Sequence, residues 1–306
     1  MKKIRLIELF SGIGAQSAAL TRLGYDFENY RTSEWEVNAV ASYRAIHVGL
    51  NENDYSEHFT NEELTEKLYQ IGISTDGKVP MTKQQIERKG EKWKREVFNN
   101  FKATNNIGSI VNCKGSDLGI VDTERFTYLL TYSFPCQDLS VAGKGRGMSK
   151  GSGTRSGMLW EVERLLTETE ELPQILLMEN VPQVHSKAKK KKKDENGNIM
   201  YDENGNVIYD KSNYENFLEW VKFLESKGYK NYWQDLNAKD FGVAQNRNRT
   251  FMVSFLEQRN FEFPKPFPLD KTMKDYLEDE VDEKYYINND KAQALIEKLI
   301  VSGDLP

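Results

Sequence analysis

The opening fourteen residues constrain the fold most. Residues 4–10, IRLIELF, form a short apolar run with charges at two interior positions, as in a buried strand. Ser11-Gly12-Ile13-Gly14 follows, and then AQSAALTRLGY, whose apolar residues recur at helical spacing up to a stop at Gly24. A strand, a glycine turn and a helix open a βαβ unit. Strands are predicted again at 28–33, 109–113, 128–133, 175–178 and 249–255, with helices at 37–46, 159–166 and 217–227 between them. This alternation specifies an α/β fold, a doubly wound and mainly parallel sheet.

Two stretches break the alternation. Residues 47–108 are dominated by charges and Asn and read as a polar, helical insertion. Residues 187–213 begin with six lysines in seven positions and continue as DENGNIMY and DENGNVIY, an eight-residue period. Asn-Gly between β-prone residues signals hairpins, so this stretch reads as an exposed insertion. Such insertions account for a mean hydropathy of -0.69 in a chain whose 15 Phe, 15 Tyr and 5 Trp suffice for a core.

Composition narrows the function classes. No run of ~18 apolar residues is present, which predicts no transmembrane helix, and the N-terminus is too charged for a signal peptide. Cys113 and Cys136 are the two cysteines, and His47, His58 and His185 are scattered. They predict neither a disulfide framework nor a metal site, and a reducing, cytoplasmic setting. The net charge of -5 excludes a generally basic nucleic-acid coat but not a local basic cleft.

Four motifs sit at predicted strand ends. Phe10-Ser11-Gly12-Ile13-Gly14 lets backbone approach a ligand at a helix N-terminus, though a generic tight turn reads the same way. Glu34, after the second strand, is placed for a ribose diol, and Trp35 offers a ring to an adenine. In Pro135-Cys136-Gln137-Asp138-Leu139-Ser140 the cysteine stands where open α/β sheets place ligands, while a small buried hydrophobe is the competing reading. The next residues favour the first. Residues 139–160 hold six glycines, four Lys or Arg and no acid, which suits a mobile lid over a polyanion and favours a nearby thiolate. Glu179, in Met178-Glu179-Asn180-Val181, can act as an acid or be a plain strand terminus. In Gln245-Asn246-Arg247-Asn248-Arg249, a strand beginning there would turn Arg247 and Arg249 to one face. Paired guanidiniums suit phosphate or a carbonyl edge, and a surface ion-pair ladder is the alternative.

Taken in order, these motifs resemble the DNA (cytosine-5)-methyltransferase family. FSGIG is similar to its first motif, PCQDLS to the catalytic one, ENV to the sixth and QNRNR to the eighth. GMLWEVER is similar to the fifth, and Gly115-Ser116-Asp117 to the third, with a Ser between the usual Gly-Asp pair. The resemblance implies the AdoMet-dependent methyltransferase (Rossmann-like) type of fold, with S-adenosylmethionine as cofactor and DNA as partner. Phe10, Gly12, Gly14 and Pro135 would line the cofactor, Glu34 would hold its ribose, and Trp35 and Asp117 its adenine. Cys136 would be the nucleophile, Glu179 the group on the pyrimidine edge, and Arg249 with Arg247 would reach the cytosine carbonyl or adjoining backbone. Gln137, Ser140, Lys144 and Arg146 would contact DNA.

The resemblance also implies a domain plan. Residues 1–260 would be the catalytic domain, and 261–306 a lead into a target-recognition region. The 57 residues after Arg249 contain neither the Arg-rich ninth motif nor a terminal Gly-Asn-Ser. The missing parts would come from a partner subunit or have been cut away, or the chain is a remnant. The functional expectation is a DNA cytosine-5 methyltransferase of restriction–modification or phage self-protection. The alternatives are an RNA (tRNA) cytosine methyltransferase and a non-catalytic AdoMet- or DNA-binding module.

Overall fold

A computed structural model describes residues 2–49, 53–139, 147–194, 197–257, 259–287 and 289–303. It divides into two compact units, Met1–Leu236 with Asn248–Pro264, and Asn237–Arg247 with Lys265–Pro306.

The first unit is built on a six-stranded sheet. Strand β1 (Lys3–Leu9) leads through the glycine turn into α1 (Ala15–Arg22), then β2 (Phe27–Ser33) and α2 (Val37–Tyr43), which runs on as a π-helical turn at Arg44–Val48. Helices α3 (Asn61–Ile71), α4 (Lys83–Glu87) and α5 (Glu91–Ala103) precede β3 (Phe126–Tyr132). Then come α6 (Leu159–Glu168), β4 (Ile175–Asn180), α7 (Asn213–Ser226), β5 (Lys230–Asn237) and β6 (Asn248–Phe255). The strand order is β2-β1-β3-β4-β6-β5. The β1–β2, β1–β3 and β3–β4 pairs are parallel, and β6 runs antiparallel to β4. This is the doubly wound, mainly parallel sheet that the alternation specified.

The topology gathers loops at one end. Strand order reverses between β1 and β3, the switch point where such sheets bind ligands. Register pairs Leu9 with Ser33 and with Tyr132, and Tyr132 with Met178. The residues that follow β1, β2, β3 and β4 therefore leave the sheet on the same side. Because β6 is antiparallel, its first residues arrive at that end, with Thr250 opposite Asn180.

The main core lies on this sheet. Leu130, Leu159, Val162, Leu165, Leu176, Phe217 and Trp220 are fully buried. The Trp220 ring meets Tyr132 edge-on at 5.6 Å and donates its indole N–H to the Tyr132 hydroxyl at 3.0 Å, so a large aromatic is buried with its polar atom paired.

Two expectations need correction. Residues 47–108 are helical, but they are more than a polar excursion. Leu64, Leu68, Ile86, Val97, Phe98 and Phe101 form a second buried cluster with Val37 and Val40. Thr60 and Thr82 start α3 and α4 with capping boxes, each of which satisfies two free backbone donors. This subcore braces β2's exit: Ser74 N–H donates to Trp35 O at 2.8 Å, and Val37 N–H to Ser74 O at 3.0 Å.

The strand expected at 109–113 is instead a turn. Asn112 N–H donates to Ser109 O at 2.9 Å. Arg164 on α6 donates to Ile110 O at 3.0 Å and Cys113 O at 2.9 Å. A guanidinium thus satisfies carbonyls that a ladder would otherwise have taken.

The lysine-rich insertion folds as a small knob with the period of its sequence. Lys192 N–H donates to Ile208 O at 2.8 Å, Ile208 N–H to Met200 O at 3.0 Å, and Met200 N–H to Lys192 O at 2.9 Å. Three segments eight residues apart thus close into a ring. Two corners are the DENGN turns, where Gly197 and Gly205 take φ of 85° and 81°. At the third, where the chain enters and leaves, Asp210 N–H donates to Lys190 O at 2.8 Å.

In the second unit, Phe241 pairs with Phe267, and the exposed helix α8 (Asp290–Val301) lies near the end of the chain.

Candidate active site

The turn after β1 is unusually left-handed. Phe10, Gly12 and Gly14 have φ of 57°, 52° and 84°. Such angles suit glycine and strain Phe10. A Cβ on Gly14 would lie 2.3 Å from His47 Nε2 and 2.7 Å from Tyr43 Cε2, whereas one on Gly12 would meet nothing within 4 Å. One glycine is required by what lies beneath it, while the other faces open space. His47 from the π-helical turn fixes this side of the loop, with Nε2 2.9 Å from Ile13 O and Nδ1 3.3 Å from Ser17 Oγ. Below it, buried Glu8 accepts from Tyr43 OH at 2.7 Å and Ser17 N–H at 3.3 Å. Burial pushes both the Glu8 carboxyl and the Tyr43 phenol up from their ordinary values.

Glu34 joins the first two strand ends. Its Oε2 accepts from Gly12 N–H at 3.0 Å, and its Oε1 from Trp35 N–H at 2.8 Å and Glu36 N–H at 2.9 Å. Burial raises its carboxyl above the usual 4.5, against the opposing pull of these three donors. Oε2 thus has one hydrogen bond, where a carboxylate oxygen can take two. Asp117 is exposed on a 3-10 turn, Gly115–Leu118, and its Oδ2 accepts from Lys114 N–H at 2.8 Å. Among the described residues, no hydrogen bond ties it to Glu34 or Trp35.

The loop after β3 carries Cys136, half-buried against the main core. It is clamped from three directions. Ser156 Oγ donates to Pro135 O at 2.7 Å and accepts from Asp138 N–H at 3.3 Å. The buried Asp138 Oδ2 accepts from Arg155 N–H at 2.7 Å and Ser156 N–H at 3.3 Å. Asn180, at the end of β4, donates through Nδ2 to Phe134 O at 3.0 Å and accepts from Val181 N–H at 2.9 Å. The sequence reading assigned no role to Asp138, Ser156 or Asn180. Ser156 lies in the stretch 139–160 expected as a mobile lid, and the other two stood unassigned inside quoted motifs. From Gly147 onward that stretch is packed instead: Met148, Ser156 and Leu159 are fully buried, and Gly147 N–H donates to Asp138 O at 2.9 Å. Gln137 is exposed, 3.5 Å from the Arg155 guanidinium. Ser140, Lys144 and Arg146 lie outside the described residues. The other thiol, Cys113, is buried and pushed up to about 12 by that burial, so it stays protonated.

Glu179 and Arg249 meet at the same end, with Arg249 Nε 3.0 Å from Glu179 Oε1 and both side chains about one-fifth exposed. Arg247 falls elsewhere. Strand β6 begins at Asn248, so strand alternation does not put Arg247 on the face of Arg249. Its backbone belongs to the second unit, donating to Asn237 Oδ1 and accepting from Ala238 N–H, both at 3.0 Å. The sheet thus brings together Phe10, Gly12, Glu34, Cys136, Glu179 and Arg249 at one set of strand ends.

A mainly parallel sheet of this order, with one antiparallel strand and its loops gathered at the switch point, is of the AdoMet-dependent methyltransferase type. The model of the C-5 cytosine-specific DNA methylase family matches residues 4–75, 83–202 and 193–300. The chain is 38% identical over 291 residues to the orphan methyltransferase M.SssI of Spiroplasma monobiae, covering 94% of this chain and 68% of that protein. It is 34% identical over 290 residues to the type II methyltransferase M2.ScrFI of Lactococcus lactis subsp. cremoris, covering 94% and 71%. The crystal structure of the S. pombe Dnmt2 methyltransferase superposes with a TM-score of 0.51 at 18% identity, over 97% of this chain and 66% of that one. That likeness concerns the fold. The chain belongs to the C-5 cytosine-specific DNA methylase family. The second and third matched stretches overlap at 193–202, inside the knob.

Proposed function

We propose that this protein methylates C5 of a cytosine flipped out of DNA, using Cys136 as a covalent nucleophile and S-adenosylmethionine as methyl donor. One observation carries the reading. Cys136, Glu179 and Arg249 come from adjacent strands β3, β4 and β6, and Asn180 bonds the Glu179 strand end to the Cys136 loop.

The residues after β1 and β2 fit the cofactor. Gly12 faces open space, and Glu34 Oε2 keeps room for a ribose hydroxyl beside Gly12 N–H. Phe10, Gly12, Gly14 and Pro135 would line it, Glu34 would take the ribose, and Trp35 with Asp117 the adenine. When bound, S-adenosylmethionine supplies the electrophilic methyl that C5 accepts.

The chain's own residues prepare C5. The Cys136 thiolate adds to C6, while Glu179 holds the pyrimidine edge and relays to N3 a proton taken from solvent. The ring then has enamine character at C5. Arg249 holds the Glu179 carboxylate and stands ready for the base carbonyl or adjoining backbone. Loss of the C5 proton and departure of the Cys136 sulfur restore the ring. The base must leave the duplex for this to happen, and Gln137, Ser140, Lys144 and Arg146 would contact the DNA around it.

Base-edge readout is assigned elsewhere. Residues 275–283, DYLEDEVDE, carry six acids in nine positions and are exposed, so phosphate would be repelled. More chain or a partner subunit would supply target recognition. The two unpaired thiols suit the cytoplasm, and no helix among the described residues is long and apolar enough to cross a membrane.

The test is trapping on 5-fluorocytosine duplex DNA with S-adenosylmethionine present, alongside tritiated methyl transfer to DNA and to tRNA. A denaturation-resistant DNA adduct that Cys136→Ala abolishes supports the reading. Transfer to tRNA alone, or no adduct in the presence of a recognition partner, refutes it.

A further inference from the structure

The lysine knob is the charged feature the proposed chemistry leaves unused. It springs from the candidate active-site end of the sheet, with Lys187 eight residues after Glu179. Its base is fastened there. Asn213 Nδ2 donates to Gln183 O at 2.9 Å, Tyr214 N–H donates to Ser186 O at 2.9 Å, and Asn216 Nδ2 reaches Ser149 Oγ at 3.2 Å. Ser149 belongs to the basic, glycine-rich stretch that follows Cys136.

The knob carries seven lysines, six of them in its first segment, against five acids: Asp194, Glu195, Asp202 and Glu203 in the two DENGN repeats and Asp210 at the exit. Asp194 and Asp202 are engaged within their corners. Asp194 Oδ1 accepts from Asn198 N–H, and Asp202 Oδ1 from Asn206 N–H, both at 2.8 Å. Those bonds hold the Asp202 carboxyl below its ordinary range. The lysines occupy the first segment, which runs out from the base. Lys187 stands over the Tyr214 ring at 5.0 Å, and Lys189 pairs with Glu215 at 3.2 Å. Lys191, Lys192 and Lys193 are exposed, on backbone held by the bridges Lys191–Tyr209 and Lys193–Ile199 and by the ring through Lys192. A solvated lysine tract needs no scaffold. Here a closed ring holds the backbone that carries three exposed lysines, which reduces the backbone ordering cost of meeting a charged polymer.

We infer that the lysine segment of the knob, residues 187–193, is a phosphate-binding arm that grips the DNA backbone beside the flipped base, without reading sequence. The inference rests on the proposed DNA substrate and adds the surface that holds it. Backbone contacts of this kind set register and carry no base information, so the arm complements a separate reader.

Salt dependence tests it. Each phosphate neutralised on B-DNA contributes about 0.9 to the slope of log K against log salt. The 1–306 chain and its triple variant Lys191→Gln, Lys192→Gln, Lys193→Gln are titrated by anisotropy against a fluorescent duplex of unrelated sequence, at several salt concentrations. The arm predicts that the slope's magnitude falls by at least ~1 and up to ~3, with thermal melting unchanged. A control variant, Lys78→Gln, Lys89→Gln, Lys92→Gln, replaces exposed lysines of the helical insertion and should keep the wild-type slope. A triple variant with an unchanged slope, or an equal loss in the control, overturns the arm while DNA binding stands. Wild-type chain that binds no duplex at low salt overturns both the arm and the DNA substrate.

Discussion

The two glycines after β1 separate loop architecture from ligand contact, and paired alanine substitutions should show it. At Gly14 an added methyl faces His47 Nε2 at 2.3 Å. It also forces a left-handed L-residue, at ~1–2 kcal/mol. His47 must swing away from Ile13 O and Ser17 Oγ, losing two contacts of ~0.5–1.5 kcal/mol each. The total is about 2–5 kcal/mol, which at ~2–4 °C per kcal/mol lowers the melting temperature by roughly 4–20 °C. Gly12→Ala carries the left-handed cost alone, since nothing lies within 4 Å of its Cβ, and should lose roughly 2–8 °C. Its methyl, however, enters the space assigned to S-adenosylmethionine. Calorimetry should therefore find Gly12→Ala the milder melting defect, with affinity for the cofactor reduced at least ~10-fold, which corresponds to about 1.4 kcal/mol. A Gly12→Ala protein that binds S-adenosylmethionine within twofold of wild type would refute the placement.

Other substitutions address the remaining strand ends. Cys136→Ala should abolish the fluorocytosine adduct and leave cofactor affinity within a few fold, measured by gel shift under denaturing conditions and by calorimetry. Ser156→Ala strips the partner from Pro135 O and Asp138 N–H, at ~1–3 kcal/mol for an orphaned buried group. It should lower the melting temperature and change the iodoacetamide rate at Cys136 several-fold, and an unaltered rate would count against the clamp. Glu34→Ala should weaken S-adenosylmethionine ~10–150-fold through lost charge-assisted bonds of ~1.5–3 kcal/mol. Because burial raises the Glu34 carboxyl above 4.5, the ionised acceptor disappears at a higher pH than an ordinary glutamate's. Affinity should therefore fall on acidification toward that raised value, with Glu34→Gln flattening the profile. The same shift acts oppositely on folding: Glu34's contribution is greatest below its unfolded value and declines as pH rises through the folded one.

The sheet was legible because its signals are local. An apolar run, two glycines and a helical repeat sit within 22 residues, and the alternation of elements then dictates which strand ends converge. Polar β5, KNYWQDLN, carried no alternation strong enough to mark it, and its middle residues Trp233, Gln234 and Asp235 face solvent. The turn at 109–113 reads as a strand because Ile110, Val111 and Cys113 are apolar, but its Ile110 and Cys113 carbonyls are taken by Arg164, some fifty residues on. The second core in 47–108 hides behind its charges, since α3 and α5 bury one face each. In the candidate site, strand position gave Glu34, Cys136 and Glu179, whereas the clamp did not show. Asn180 reaches Phe134 across 46 positions and Ser156 reaches Pro135 across 21, contacts that no local pattern encodes. The eight-residue period announced two corners of the knob. The third corner, and so the ring, needed Lys190 and Asp210 to meet.

That meeting of entry and exit has a consequence for heredity. Chain that leaves and returns through one hydrogen-bonded pair can be gained, duplicated by its eight-residue unit, or excised and replaced by a short connection, while the strands on either side keep their spacing. Joining two ends that are already adjacent has a small loop-closure cost. The knob is therefore a cassette. Its length can change at the DENGN repeats without altering the separation of the strand end and helix start that it joins.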